Sequence, residues 1–338
     1  MNDRKRIKQI CLAVTDKCNS RCRHCYVWRT VPRNEFAVEE LDRFFQNSNL
    51  STLTSLSVSG GEPILREDIV KVLKTIRRWY DKDLILQSNC FLPDRLMDVV
   101  MQVKDITVCC SLDGIGDIHS RIRGVPNAFD KVMKTMKCLK DNSIPFIISM
   151  TIQKDNQDQI VNVYNVAKKL GVPLWCRPAG TGQLFNKYTQ ESIDNLAVIQ
   201  QLNIIKSINP VWIHINQMYL KYGRLPFPCS AGETSCHISP NFDVFPCSHC
   251  PIEWKLGNLR MVDYCLDRLL TSKYSNRCRK CINEIAHPAE IPRWMYYKCY
   301  LRYDIRNKYR PFLREAIKHP TKAVRELHHI CEHSIRGV

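Results

Sequence analysis

The hydrophobic positions in the first half of the chain form short apolar runs that alternate with longer amphipathic stretches. The runs have the length of buried strands, and the stretches repeat apolar residues at helical spacing. Strands are predicted over residues 10–15, 55–59, 84–87, 106–112, 146–152 and 174–177. Helices are predicted over residues 69–80, 128–139, 158–170 and 189–208.

Alternating strands and helices with a period of about 30 residues predict parallel βαβ units whose sheet is covered by helices. Six such units would form a partial (β/α)6 barrel of the TIM-like kind. The predicted fold class is therefore α/β, with the partial barrel over residues 1–212. In such a fold the active site lies at the carboxyl ends of the strands.

Two later segments differ in character from the barrel. Residues 226–290 are rich in cysteine and turn-forming residues, with a short strand at 243–245, and predict a small subdomain. Residues 293–338 carry 11 Lys and Arg against 4 Asp and Glu, with aromatic residues among the cations. This basic helical tail suits peripheral contact with a membrane, a phosphate-bearing or nucleic-acid partner, or docking on the barrel. The sequence leaves these three interpretations open.

Composition narrows the class of protein. Of 338 residues, 44% are hydrophobic and 25% are charged, as in globular proteins. No run approaches the roughly 20 apolar residues that span a bilayer, and the N-terminal apolar run is too short for a secretory signal, so a cytoplasmic location is expected. The net charge of +17 favours an anionic partner: a nucleic acid, a phosphorylated metabolite or an acidic membrane surface.

The chain contains 18 cysteines, far above the usual number. A reducing cytosol disfavours a disulfide framework, so ligation of a metal or cluster is the leading interpretation. Some cysteines lie in or beside apolar runs and are expected to fill the core as small hydrophobic residues. These are Cys90, Cys109, Cys110, Cys138 and Cys176.

Cys18, Cys22 and Cys25 form a C-x3-C-x2-C array directly after the first predicted strand. Three thiolates from one loop can ligate three irons of a [4Fe–4S] cluster and leave the fourth iron without a protein ligand. An open iron can chelate the amino and carboxylate groups of S-adenosylmethionine (SAM). Zinc is the competing metal, but the spacing and position of the three cysteines suit the cluster better. Tyr26, adjacent to Cys25, is expected to pack over the adenine.

The cysteine array followed by an aromatic residue resembles the signature of the radical SAM superfamily. After the second strand, the sequence matches the GGEP motif of that family at Gly60, Gly61, Glu62 and Pro63. The resemblance implies that the glycines expose backbone groups to the amino end of SAM and that Glu62 accepts from its ammonium. Ser88 and Asn89 stand where the family often has a Thr-Asn-Gly turn, with Cys90 in place of the glycine.

The segment SLDGIGDIHSRIRG, after the fourth strand, extends the resemblance over residues 10–180. It is similar to a ribose- and carboxylate-binding stretch of peptide-modifying members. The resemblance implies that Ser111 and Asp113 face the SAM ribose and that Arg123 lies near its carboxylate or the substrate. An Asp-Gly pair by itself is more often a tight turn.

The segment CSAGETSCHISPNFDVFPCSHC and the later CRKC resemble the SPASM and twitch subdomains of radical SAM enzymes. No cysteine follows Cys281 until Cys299, which favours the shorter twitch form with one auxiliary [4Fe–4S] cluster. Cys236 and Cys250 remain as substitutes or as ligands of a second cluster, and structural zinc is the alternative. The ligand set implied by the resemblance is Cys229, Cys247, Cys278 and Cys281.

Some maturases of this family have Asp after the hairpin cysteine, where this chain has Ser248. His249 and Cys250 are therefore candidates for proton transfer or hydrogen-atom donation. The resemblance implies reductive cleavage of SAM, with electrons from a flavodoxin or ferredoxin, and hydrogen abstraction from an anionic small-molecule, sugar or lipid-linked substrate. The alternatives are a peptide-modifying maturase and a non-enzymatic iron–sulfur or zinc protein that binds nucleic acid.

Overall fold

The computed structural model describes residues 7–179, 193–205, 210–223, 229, 231–250 and 252–274. Cys278, Cys281 and the predicted basic tail lie outside these residues. Within the described part of the chain, no helix is long and apolar enough to cross a membrane.

A single sheet runs through the described residues, and its first six strands are parallel and adjacent in chain order. They are β1 (Gln9–Ala13), β2 (Ser55–Ser59), β3 (Asp83–Ser88), β4 (Ile106–Ser111), β5 (Phe146–Ile152) and β6 (Leu174–Pro178). The α/β class and the partial barrel are thereby confirmed. Each predicted strand agrees with an observed one within two residues at either end.

Helices cover one face of this sheet. They are α1 (Val38–Asn47), α2 (Ile69–Trp79), α3 (Pro93–Val100), α4 (Asp117–Arg123), α5 (Ala128–Asp141), α6 (Ile160–Leu170), α7 (Asn195–Ile204) and α8 (Pro210–Tyr222). In α2, Ile69, Val72, Leu73 and Ile76 recur at helical spacing and are fully buried. The predicted helix at 189–208 contains α7, and its outer residues lie partly outside the description.

The two faces of the sheet differ in polarity because successive residues of a strand point to opposite sides. In β2, Leu56 and Val58 pack in the helix-covered core, whereas the serines of the strand alternate with them. The same alternation gives the inner face of the barrel many hydroxyl and amide groups. Its polar positions include Ser55, Ser57, Ser59, Gln87, Ser111, Ser149, Thr151 and Arg177.

The cysteine-rich region continues the barrel sheet. Strand β7 (Ser235–Ile238) pairs in parallel with β1, and β8 (Asp243–Phe245) and β9 (Gly257–Asn258) follow in antiparallel order. Phe242 stacks on Phe36, with ring centroids 4.5 Å apart. Arg260 forms an ion pair of 2.6 Å with Glu40 of α1. The described part of the predicted subdomain is thus joined to the barrel through a shared sheet and through α1.

The cysteines assigned to the core are mostly buried. Cys90, Cys109, Cys110 and Cys176 are buried, and all but Cys109 belong to the main hydrophobic core. Cys138 on α5 differs from the prediction because it is partly exposed.

Candidate active site

The loop that follows β1 carries the first three site cysteines and is held by the end of α4. The backbone nitrogen of Arg21 donates to the carbonyl oxygen of Arg123 over 2.9 Å, and that of Arg23 donates to Ile122 over 2.9 Å. The backbone nitrogen of Cys25 donates to the carbonyl oxygen of Cys22 within the loop. The loop that contains Cys18, Cys22 and Cys25 therefore has a fixed backbone at the carboxyl end of the sheet.

The three cysteines lie in one loop, with Cys22 buried and Cys18 and Cys25 partly exposed. Loss of solvation raises the pKa of Cys18 to about 11 and that of Cys25 to about 12, and it also raises the pKa of Cys22. The proximity of Cys22 contributes to the rise at both Cys18 and Cys25. Ionised thiolates here need a cationic centre, and metal binding supplies one as it displaces the protons. This donor set fits an iron–sulfur cluster held by three cysteines.

The Gly60–Gly61 turn lies against the cysteine loop. The backbone nitrogen of Gly61 donates to Thr15 over 2.7 Å, and that of Glu62 donates to Lys17 over 2.8 Å. A Cβ on Gly61 would lie 2.2 Å from the Lys17 oxygen, and one on Gly60 would lie 2.3 Å from the Thr15 oxygen. The close approach of two backbones thus requires both glycines, in addition to any exposure toward SAM. Next in the motif, Pro63 begins a one-turn helix.

Glu62 connects the carboxyl ends of β2 and β3. Its carboxylate accepts from the Ser88 hydroxyl over 2.9 Å and from the Asn89 backbone over 2.7 Å. The Asn89 amide in turn donates to Asn19 over 2.6 Å and to the Ser20 hydroxyl over 3.0 Å. Burial raises the pKa of Glu62 to about 7. The Ile64 backbone is a third donor to this carboxylate, which leaves one of its four lone pairs for an ammonium.

Cys90 occupies the position where the resembled turn has glycine. Its backbone has a φ of 62°, in the left-handed region that favours glycine. The Cys90 backbone nitrogen donates to the Ser88 hydroxyl over 3.0 Å, and its oxygen accepts from the Thr135 hydroxyl over 2.7 Å. The glycine-like turn is thus retained with a cysteine, at a cost of about 1 kcal/mol.

Asp113 and Arg123 form a buried ion pair, with Nε 2.8 Å from Oδ2. The other Asp113 oxygen accepts from the Thr151 backbone over 2.9 Å. The Arg123 guanidinium also donates to the Cys22 sulfur over 3.7 Å. Asp113 is fully buried against Arg123 and His119 of α4, and its contact with the SAM ribose stays a prediction. Ser111 lies half-buried on the inner face at the end of β4.

A sequence model of the radical SAM superfamily matches residues 12–167. Residues 12–167 belong to the radical SAM superfamily. The members of this superfamily are enzymes that use a [4Fe–4S] cluster and SAM, and the protein is an enzyme. The matched residues contain the cysteine loop, the Gly60–Gly61 turn and the Asp113–Arg123 pair.

Two relatives illustrate the breadth of the similarity. The AdoMet-dependent heme synthase of Methanosarcina barkeri (strain Fusaro / DSM 804) is 23% identical over 278 residues, covering 73% of this chain and 78% of that protein. The antilisterial bacteriocin subtilosin biosynthesis protein AlbA of Bacillus subtilis (strain 168) is 24% identical over 263 residues, covering 73% of this chain and 56% of AlbA. The chain thus spans little more than half the length of AlbA.

Solved structures show the same fold. Streptococcus suis SuiB bound to S-adenosylmethionine superposes with a TM-score of 0.60 at 17% identity, covering 72% of this chain and 61% of SuiB. Native anSMEcpe with bound AdoMet and Cp18Cys peptide has a TM-score of 0.60 at 17% identity, covering 82% of this chain and 84% of that protein. These similarities extend the fold assignment beyond the radical SAM residues.

The inner face of the radical SAM barrel contains one strand cation that the sequence prediction missed. Arg177 on β6 is the only Lys or Arg in the six described parallel strands. Burial is the main cause that lowers the pKa of His24 to about 4, and the charges of Arg123 and Arg177 act in the same direction. Burial and the Arg177 charge also lower the pKa of His249. The charge of Arg177 thus lowers the pKa of a histidine in each of the two cysteine-bearing regions. Its position in an otherwise apolar strand is the sequence feature that could have identified it.

Tyr26 differs from the buried residues of the cysteine loop because its ring is partly exposed. It follows Cys25 directly, and the Arg29 guanidinium lies 5.5 Å from its ring centroid. An exposed aromatic surface beside the three thiols is compatible with the expected packing against a planar base.

The second group of cysteines is divided between two environments. Cys229, Cys247 and Cys250 pack together with Phe245 in a small cluster of their own. The Cys250 thiol donates to the Cys247 carbonyl oxygen over 3.1 Å, and the neighbouring His249 is buried. Cys236, by contrast, lies fully buried in the main core, and burial raises its pKa. The described structure therefore brings Cys250, rather than Cys236, to the expected ligands Cys229 and Cys247.

Proposed function

We propose that this protein holds a [4Fe–4S] cluster on Cys18, Cys22 and Cys25 and removes a hydrogen atom from a C–H bond of an anionic substrate. When bound, the cluster supplies the electron that splits SAM into methionine and a 5′-deoxyadenosyl radical, which takes that hydrogen atom. The supporting observation is that one loop at the carboxyl end of β1, held by backbone hydrogen bonds to α4, carries three cysteines, one buried and two partly exposed.

The surrounding residues have two tasks in this proposal. One set holds the cysteine loop: the Gly60–Gly61 turn by backbone hydrogen bonds, and Asp113 and Arg123 from the side of α4. The other set lies around the loop where SAM would bind to the open iron. That set comprises Tyr26, Gly60, Gly61, Glu62, Pro63, Ser88, Asn89 and Ser111.

The polar groups on the inner face of the barrel support an anionic substrate. Arg177 lies at the carboxyl end of β6, paired in register with Thr151 of β5. Ser149 pairs with Ser111 on the adjacent strands. A guanidinium among hydroxyl groups suits a carboxylate or phosphate, because it donates through a planar fork. The net charge of +17 favours the same kind of substrate.

An auxiliary [4Fe–4S] cluster is assigned to Cys229, Cys247, Cys278 and Cys281, with one electron of a net oxidation passing to it. The packing of Cys229 against Cys247 supports half of this set. Cys250 is the substitute ligand, and His249 beside it is the candidate proton carrier. A flavodoxin or ferredoxin is the expected electron donor to the first cluster.

The second candidate is a peptide-modifying maturase, which the names of several relatives favour. Sporulation killing factor maturation protein SkfB of Bacillus subtilis (strain 168) is 24% identical over 161 residues, covering 47% of this chain and 39% of SkfB. AlbA is named for bacteriocin biosynthesis. A carboxylate of an acidic precursor peptide would pair equally well with Arg177 on β6. The non-enzymatic alternative, an iron–sulfur or zinc protein that binds nucleic acid, does not account for the radical SAM residues.

The test compares the stimulation of 5′-deoxyadenosine formation by two groups of compounds, carboxylate-bearing tetrapyrroles and acidic peptides. Arg177→Met and Arg177→Lys are assayed beside the wild type. We expect an anionic compound to stimulate the wild type, Arg177→Lys to retain part of this response, and Arg177→Met to lose it. An equal response of all three proteins would contradict the assignment of Arg177 to the substrate.

A further inference from the structure

We propose that Arg123 is a positioning residue that raises the reduction potential of the first cluster through a hydrogen bond to the Cys22 sulfur. The proposal rests on the proposed function only in requiring a cluster on Cys22. It gives Arg123 a role that differs from contact with the SAM carboxylate.

The contact itself is short and shielded from water. Nη1 of Arg123 lies 3.7 Å from Sγ of Cys22, within hydrogen-bond range for a sulfur acceptor. The Arg123 side chain is 9% exposed, and Cys22 is 6% exposed. Because solvent hardly screens this pair, the guanidinium charge acts on the sulfur at a low effective dielectric.

Arg123 is held in this position at three points. Asp113 holds its Nε over 2.8 Å, and the Arg123 carbonyl oxygen accepts from the Arg21 backbone over 2.9 Å. Gly124 follows at a φ of 62° and ends α4. A Cβ there would lie 2.7 Å from the Arg21 oxygen, so the helix end and the cysteine loop lie in direct contact. The guanidinium therefore cannot move away from Cys22 without loss of these contacts.

Asp113 is fixed in the same way. Its Oδ1 accepts from the Thr151 backbone over 2.9 Å, and its backbone nitrogen donates to Nδ1 of His119 over 2.9 Å. Burial would raise the pKa of Asp113, but the charges of Arg123, His24 and His119 and the Thr151 hydrogen bond together hold the pKa below its ordinary value. The pair is thus an oriented dipole, with its positive group on the Cys22 sulfur and its carboxylate behind.

The consequence for the cluster follows from charge. A reduced cluster carries one more negative charge than the oxidised one, and the potential depends on net charge and on hydrogen bonds to the sulfurs. A buried cation on a ligand sulfur stabilises the reduced form more than the oxidised form.

The test is a redox titration of the reconstituted full-length protein without SAM, followed by electron paramagnetic resonance. A spectral change on SAM addition identifies the first cluster. For Arg123→Gln we expect the equilibrium constant for reduction to fall at least tenfold, which is about 59 mV for a one-electron couple. Arg123→Lys keeps the positive charge but loses the planar fork of donors, and is expected to lower the potential by less than Arg123→Gln does.

Arg121→Gln is the matched control, because Arg121 lies on the same helix and is exposed. Its potential should equal that of the wild type. An unchanged or higher potential in Arg123→Gln, or an equal shift in Arg121→Gln, would overturn the proposal. If Arg123→Gln assembles no cluster, Arg123→Lys decides, and an unchanged or higher potential there overturns it. Failure of the wild type itself to assemble a cluster refutes the proposed function instead.

Discussion

The carboxylate of Glu62 accepts a 2.7 Å hydrogen bond from the backbone nitrogen of Asn89 and so connects the carboxyl ends of two neighbouring strands. The side chain of Asn89 continues the connection to Asn19 and Ser20 inside the cysteine loop. One buried acid therefore fixes the position of the loop that carries three site thiols. This relationship leads to two of the predictions below.

The first prediction concerns the dependence of stability on pH. The pKa of Glu62 is about 7 in the folded protein against an ordinary value of 4.5, so the folded state binds the proton more tightly. The stabilisation is present at low pH and is lost as the pH rises from about 4.5 to about 7. The Glu62→Gln variant has no ionisable group at this position, so it does not lose stability in this way as the pH rises. In urea titrations of the iron-free protein, the unfolding free energy of Glu62→Gln minus that of the wild type should rise by about 3 kcal/mol across this window.

Buried histidines titrate in the same range in the opposite direction. The pKa values of His24 and His237 lie near 4 because of burial, so their contributions grow as the pH rises. They occur in both proteins and cancel in the difference. A difference that stays flat or falls between pH 4.5 and pH 7 would contradict the role assigned to Glu62.

The second prediction concerns Asn89. Asn89→Ala removes the side-chain donors to Asn19 and Ser20 but keeps the backbone donor to Glu62. We expect faster amide hydrogen exchange over residues 16–25 of the iron-free protein, with little change in the sheet. Asn142→Ala is the matched control, since Asn142 makes one exposed amide contact at the end of α5. Equal exchange in the cysteine loop of the two variants would exclude the proposed coupling.

The third prediction concerns the Gly60–Gly61 turn. Gly61→Ala would place a methyl group 2.2 Å from a backbone oxygen of the cysteine loop, and backbone cannot move aside as a side chain does. We expect a loss of about 3 kcal/mol in unfolding free energy. Gly171→Ala is the control, because Gly171 has a φ of 74° but open space around its Cβ position, and should lose about 1 kcal/mol. Similar losses in the two variants would contradict the close approach.

The fourth prediction concerns the auxiliary cluster. Anaerobic reconstitution should give about eight irons per chain, as two cubane clusters require. Cys247→Ala should retain about four, because Cys247 lies among the proposed ligands. Cys236→Ala should retain about eight, because Cys236 lies in the main core. Zinc in place of iron, or a loss of iron in Cys236→Ala, would contradict the proposed ligand set.

The strands were predictable because the residues that face the helices are apolar and recur in short runs between amphipathic stretches. The observed bounds of β2 and β5 coincide with the predicted ones. The cysteine array and the Gly60–Gly61 turn were also evident, because each is a local pattern that a few neighbouring residues define. Long-range packing was not predictable in this way, because it depends on which segments fold back onto which.

Asp113 shows the limit most clearly. The sequence placed it after a strand, where a ligand-binding carboxylate is common, but no local pattern indicated that α4 would cover it and pair it with Arg123. Cys236 and Cys250 were likewise equivalent in the sequence. Only the pairing of β7 with β1 places Cys236 in the core. Arg177 could have been recognised from the sequence, because it is a lone cation in an apolar strand.

The proposed chemistry requires three thiols that leave one iron of a cluster open to SAM. The decisive measurement is the yield of 5′-deoxyadenosine from SAM and dithionite under anaerobic conditions, for the wild type, for Cys22→Ala and for the partly exposed control Cys138→Ala. We expect product from the wild type and from Cys138→Ala, and none above background from Cys22→Ala. Undiminished product from Cys22→Ala, or none from an iron-loaded wild type, would contradict the proposed function.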